Sequence, residues 1–204
     1  MKLRNLIATV AVVSALAIVA GACSNTETSA ASPSATASAN PSFDLRIGDI
    51  VALSGDLAPY GPAIDKGAQV AVDQIDQALK AAGLSDVTVE IVATEDEQTD
   101  AKASVEAATK LVQTDQVDMI MGPLGSTDTE SVATSVTVPS AILQISPSAT
   151  DPAITNVKDD NLLWRTSPSD LAQAHLLAKT MADAFGADAT INTGARNDAY
   201  GTGL

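Results

Sequence analysis

LRIGDIVALSGDLAPYGPAIDKGAQVAVDQIDQALKAAGLSDVTVEIVA, residues 45–93, holds one complete strand–helix–strand unit. Leu45 to Leu53 is an apolar, β-rich run that ends in Ser54-Gly55. Ile64, Ala68, Ala71, Ile75, Ala78 and Leu79 then recur at spacings of three and four, which places them on one stripe of a helix that Gly83 terminates. Val87 to Ala93 (VTVEIVA) is a second β-rich run. Two strands joined through a helix form a right-handed crossover, and such strands lie parallel.

The same alternation continues towards the C-terminus. Ala101 to Val112 is expected as a helix burying Val105, Ala108, Leu111 and Val112, Val117 to Met121 as the third strand, Ser126 to Val136 as a shorter helix and Ala141 to Ile145 as the fourth strand. After Leu162 to Arg165 comes a helix from Asp170 to Phe185, with Asp170 as its N-cap and Leu171, Ala174, Leu177, Ala178 and Met181 on one stripe. A further strand is expected over Ala189 to Thr193. The fold class is therefore α/β, a parallel sheet with helices on both faces. The sequence stops at Leu204, where another helix is expected to begin, so a truncated chain is expected.

In open parallel sheets ligands sit outside the carboxyl ends of the strands. Three strand-exit loops are thus the places to look: Ser54-Gly55, Gly122 to Ser126, and Ser146 to Thr150. Gly122-Pro123-Leu124-Gly125 running into Ser126-Thr127-Asp128 combines a glycine turn, hydroxyls and free amides, which suits an anionic group or equally a simple helix cap. Ser146-Pro147-Ser148-Ala149-Thr150 adds hydroxyls and available carbonyls, and reads equally as a turn.

Upstream, the chain opens with basic Lys2 and Arg4, an apolar run from Leu6 to Ala20, and small residues Ala20, Gly21 and Ala22 before Cys23. That order is a secretory signal over residues 1–22, and the apolar run is shorter than the ~20 residues a helix needs to span the hydrocarbon. The small residues before Cys23 resemble the lipobox of bacterial lipoproteins, which implies diacylglycerol on the Cys23 sulfur and cleavage in front of it. Residues 23–43 are then a lipidated cysteine and a tether rich in Ser, Ala, Thr and Pro, with too little large apolar surface to order itself. Such a tether reaches on the order of 25 Å. The location expected is the extracytoplasmic face of the cell membrane, with membrane contact made through lipid on Cys23.

Composition narrows the function. A net charge of −14 repels nucleic acid. The single cysteine rules out an internal disulfide, so the folded part must rely on its core. An enzyme is not expected: the one histidine, His175, falls mid-helix, away from the strand exit that holds Ser126. Leu53-Ser54-Gly55-Asp56 lacks the three-glycine dinucleotide fingerprint, and Glu95, Asp96, Glu97 and Asp100 lack the order of a calcium loop, so neither cofactor nor metal is expected.

Ile47-Gly48, Leu53-Ser54-Gly55, Tyr60-Gly61, Gly67-Ala68, the Gly122 to Ser126 turn, Ile145 to Thr150, Arg165-Thr166 and Asn197-Asp198-Ala199-Tyr200-Gly201 occur in that order. In this series the chain resembles the type I periplasmic binding proteins of the branched-chain amino acid (Leu/Ile/Val) transport family, over residues 44–204. The resemblance implies an N-terminal α/β lobe over residues 44–164 and the start of a second lobe over residues 165–204. It also implies a small amino-acid-like ligand held between two lobes, delivery to an ABC permease, and a monomer. Carried over by position, Ser126 looks like the hydroxyl for the ligand carboxylate, and Thr150 like a contact to carboxylate and ammonium. Ser148 offers its backbone carbonyl to the ammonium, Tyr60 and Tyr200 resemble aromatic walls from the two lobes, and Asp170 stands near a position facing the cleft. A ligand-binding sensory domain feeding a signalling receptor remains the open alternative.

Overall fold

The computed structural model describes residues 42–204. The expected export signal, the lipid site at Cys23 and nearly all of the tether lie outside the described residues. Five parallel strands form one sheet: β1 (Phe43–Val51), β2 (Val87–Asp96), β3 (Met119–Met121), β4 (Leu143–Ser146) and β5 (Leu163–Arg165). Their spatial order is β2-β1-β3-β4-β5. β1 pairs with β2 along its whole length, from Phe43 opposite Val87 to Val51 opposite Asp96, with one irregularity between Ile47 and Gly48. On its other side Ile47 to Asp49 lie against Met119 to Met121. β1 begins two residues earlier than expected, so Phe43, assigned to the tether, is already in the sheet.

The chain leaves β1 in one direction to reach β2 and then returns past it to β3, which puts the reversal of strand order between β1 and β3. Right-handed crossovers on the two sides of that point place their helices on opposite faces. α2 (Ala101–Gln113) and α3 (Ser126–Val132), with the π-helical turn Ala133–Thr137 that extends it, share one face. There Ala107, Ala108, Leu111, Val132 and Val136 pack with Ile50, Val117 and Ile120, and Val105 and Val112 lie at the margin as the periodicity predicts. Gly48 keeps this contact tight: a Cβ on it would come within 2.8 Å of Leu111 Cδ1. α1 (Gly61–Ala81) takes the other face, where Ile64 and Leu57 pack against Val51, Ala52 and Leu124.

Five expectations need correction. The α1 stripe is only half-covered, with Ile64, Ala68 and Leu79 partly buried but Ala71, Ile75 and Ala78 exposed. α4 (Asp170–Phe185) is largely uncovered: of its expected stripe, Leu171 is 59% and Leu177 43% exposed. Its N-cap is Ser169, whose Oγ accepts from Leu171 N, so Asp170 falls one place inside the helix. Ala189 to Thr193 forms no strand: it has β-type residues, yet no described strand lies alongside to complete its hydrogen bonds. β4 also starts at Leu143 rather than Ala141, because Ala141 adopts a φ of 56° in a turn that an extended strand does not admit.

Candidate functional site

Gly122 closes the exit of β3 with a φ of 98°, so near the Ile50 carbonyl that a Cβ would stand 2.0 Å from its oxygen. Gly125 lies close against Asp128, and a Cβ there would meet Oδ2 at 2.0 Å and displace that carboxylate. Between these glycines the chain is brought to Ser126, which is 3% exposed and accepts two amide hydrogens through Oγ, from Thr150 N and Asp151 N, both at 3.3 Å. The β3 and β4 exits are joined further by Ser146 Oγ donating to the Pro123 carbonyl at 2.7 Å and Ser148 Oγ donating to the Leu124 carbonyl at 2.8 Å. The two loops identified from sequence are therefore one cross-tied unit.

A cavity of about 760 Å³ opens beside that unit. Its walls come from the exit of β1 and the start of α1 (Leu57, Tyr60, Ile64), the exit of β2 (Thr99, Asp100), the turn from Leu124 to Asp128, Ser148, and the C-terminal segment with Arg196, Asp198 and Tyr200. Tyr60, at the head of α1, is 62% exposed, and Tyr200 sits half-buried in α5 (Ala199–Gly203). Ala199 N donates to Thr127 Oγ1 at 2.9 Å and so secures the Tyr200 segment to α3.

Tyr60, Ser126, Ser148 and Tyr200 are thus brought to one cavity, whereas Thr150 and Asp170 are not among its lining residues. Thr150 lies just behind, with its hydroxyl donating to Asp170 Oδ2 at 2.7 Å while Asp170 N donates back to the Thr150 carbonyl at 2.9 Å. Asp170 is 1% exposed, so it does not face the cleft as expected. As the first residue of α4 it turns inward to fix the Thr150 hydroxyl.

Sequence reasoning gave none of the carboxylates that stand around the cleft a role in the site. Asp96 accepts from the amides of Leu53, Ser54 and Gln98 and from the Ser54 hydroxyl, which pins the β1 exit loop. Burial acts to raise its pKa, but the Ser54 hydroxyl and those amides prevail and hold it below the usual carboxylate range. Next to it Glu97 is fully buried. Its Oε2 accepts from Leu124 N at 2.7 Å, and burial first, with Asp128 adding to it, pushes its pKa up to about 7. Asp128, 4% exposed and bonded to Ser104 Oγ, is also raised by burial. In the structure Glu97 follows directly on β2 and precedes the Asp100 helix cap, whereas the strand expected from sequence ended at Ala93. From sequence it was weighed only with Glu95, Asp96 and Asp100 as a calcium loop, whose order they lack. Among the described residues no group of three or more His, Cys, Asp or Glu is placed to hold a metal ion.

A parallel α/β sheet with an open cleft at the point where strand order reverses, set with hydroxyls and flanked by aromatic side chains, is the build of a solute-binding lobe. The chain belongs to the periplasmic binding protein family, whose profile matches residues 44–204. It is 34% identical over 161 residues to the Leu/Ile/Val-binding protein BraC3 of Rhizobium johnstonii, covering 79% of this chain and 42% of that protein. To the leucine-, isoleucine-, valine-, threonine- and alanine-binding protein of Pseudomonas aeruginosa it is 33% identical, covering 74% of this chain and 39% of the relative. Among solved structures, the substrate-binding protein LivJ of Streptococcus pneumoniae in complex with isoleucine superposes with a TM-score of 0.58 at 28% identity, over 69% of this chain and 38% of that one. LivK of Thermotoga maritima, a leucine-binding protein, shares the fold with a TM-score of 0.67 at 19% identity, over 78% of this chain and 43% of that one. The chain spans about two fifths of the length of these curated relatives.

Proposed function

We propose that this chain captures an amino acid, first among them a branched-chain aliphatic one, in the cleft beside Ser126 and passes it to an ABC permease as the solute-binding component of an importer. The observation that carries the reading is the Ser126 hydroxyl. Its oxygen accepts two amide hydrogens and its own proton remains to be given, so at the cleft it acts as a fixed donor suited to a carboxylate. Thr150 stands behind the cleft wall with its hydroxyl proton committed to Asp170, and supports Ser126 through its amide, which donates to Ser126 Oγ. Leu57, Ile64 and Leu124 supply apolar wall for an aliphatic side chain, with Tyr60 and Tyr200 as aromatic faces. The relatives that bind leucine, isoleucine and valine support the choice of ligand class.

The lobe assigned to residues 44–164, with a second lobe beginning at 165, would work as a monomer held at the extracytoplasmic face by lipid on Cys23. The support for that anchor is the basic, apolar and small-residue order ahead of Cys23. Family membership supports the extracytoplasmic location. Calorimetry across the amino acids and short amides tests the ligand, and saturable binding of leucine, isoleucine or valine is expected. If none of the amino acids binds, the reading is lost. Incorporation of labelled palmitate, abolished by Cys23→Ser, tests the anchor.

A further inference from the structure

Near the cleft, the carboxyl-bearing residue Glu97 ties three elements together. Its N–H donates to the Val51 carbonyl at the end of β1, and its carbonyl accepts from Asp100 N at the head of α2. Its side chain crosses to the β3 exit, where Oε2 accepts from Leu124 N at 2.7 Å. It is fully buried, and Oε1 makes no hydrogen bond. Leu124 sits two residues before Ser126 and is itself 3% exposed, and its carbonyl is held from the other side by Ser148 Oγ. The Leu124 peptide is therefore gripped at both ends, by Glu97 at its N–H and by Ser148 at its C=O.

We propose that Glu97 is a positioning residue for the ligand: by holding the Leu124 amide from behind the cleft, it fixes the turn that presents the Ser126 hydroxyl. The proposal rests on the cleft being the solute site. A buried carboxyl with one oxygen unpartnered is costly unless it carries a proton. The two carboxylates that face it add to that cost. Asp96 on β2 and Asp128 on α3 oppose its ionisation, while the amides of Leu124 and Gly125 favour it. Asp100 raises Asp128 in turn, and Arg196 is the one cation that acts on that neighbour. Protonated, Glu97 keeps Oε2 as an acceptor for Leu124 N without placing a second full charge beside Asp128. The turn is then held by a group whose charge changes near neutrality, a property that a purely structural hydrogen bond would lack.

Amide exchange and chemical shifts of the chain, followed by NMR between pH 5 and 9 in the wild type, Glu97→Gln and Glu97→Ala, test this directly. The Leu124 and Gly125 amides of the wild type should titrate with a midpoint near 7. Glu97→Gln should abolish that titration and keep the slow exchange of Leu124. Glu97→Ala should speed Leu124 exchange by about tenfold or more, the loss of one buried hydrogen bond, while Ile120 in β3 keeps its protection. Unchanged Leu124 exchange in Glu97→Ala, or a titration that survives in Glu97→Gln, overturns the proposal. Should Glu97→Ala not fold, the titration in Glu97→Gln still gives the answer. Calorimetry with L-leucine separates the two ideas. Equal affinity in the wild type and Glu97→Ala refutes positioning and spares the cleft. A wild type that binds no amino acid refutes the cleft, and the exchange data still judge the grip on Leu124.

Discussion

The Ser126 oxygen is fully occupied as an acceptor by Thr150 N and Asp151 N, so replacing it does two things at once: it removes the donor offered to the cleft and leaves two amides without a partner. Thr150 is gentler to replace, because only its bond to Asp170 is lost with the hydroxyl. Ser126→Ala should therefore weaken amino-acid binding by about tenfold or more, and Thr150→Val by a smaller factor, since one lost hydrogen bond is worth about 1 kcal/mol. Calorimetry on the two variants checks the order, and equal affinities in wild type and Ser126→Ala would remove Ser126 from the site. These hydroxyls were legible in the sequence because they follow apolar runs at strand ends, where parallel sheets gather their ligands. Asp170 was misjudged by one position: as a cap it would point along the helix axis, but as the first helical residue it points inward at Thr150. Glu97 could not be told from its neighbours Glu95 and Asp96 by residue type, since what sets it apart is the packing of α2 and α3 over it.

At the level of elements, periodicity located the first four strands, because an apolar β-run and a helical stripe are properties of a single segment, while β5 is only three residues long and is legible merely as the segment ahead of α4. It failed where an element's state depends on something beside it. Ala189 to Thr193 has strand-like residues and no ladder, and α4 has an apolar stripe that no described element covers. The contrast between α2 and α4 can be measured. Leu111 is fully buried between sheet and helices, so Leu111→Ala should cost 2 to 5 kcal/mol, roughly, through lost burial and the cavity left behind. Leu177 is 43% exposed on α4, and Leu177→Ala should stay within about 0.5 kcal/mol. Urea unfolding of both variants gives the two numbers. A Leu177→Ala cost as large as that of Leu111→Ala would mean that α4 is packed in solution.

For the whole molecule, the surplus of acid is not all solvated surface, and this sets how stability responds to pH. Asp49 in β1 is 1% exposed, with Asp65 of α1 facing it. Burial first, then the charge and hydrogen bond of Asp65, raise its pKa to about 7 from 3.8. Glu97, directly after β2, rises to about 7 from 4.5, mainly by burial. In the unfolded chain both groups ionise near their ordinary values, while in the fold they keep their protons until close to neutrality. Between about pH 4 and 7 the native state thus binds more protons than the unfolded one. The stability these groups contribute is present in full below pH 4 and is lost as pH rises through 7. Each is worth at most on the order of 4 kcal/mol over that window. Asp96, held below the usual range, acts in the opposite sense only under more acid conditions, as pH falls through its own lowered value. The urea midpoint should accordingly fall between pH 5 and 7.5 and then level off. Asp49→Asn keeps a polar group facing Asp65 but cannot ionise, so it should remove about half of that fall. A wild-type midpoint that is flat or rising from pH 5 to 7.5 would show that these carboxyls ionise in the fold as they do in water, and that the sheet tolerates charge beneath α1.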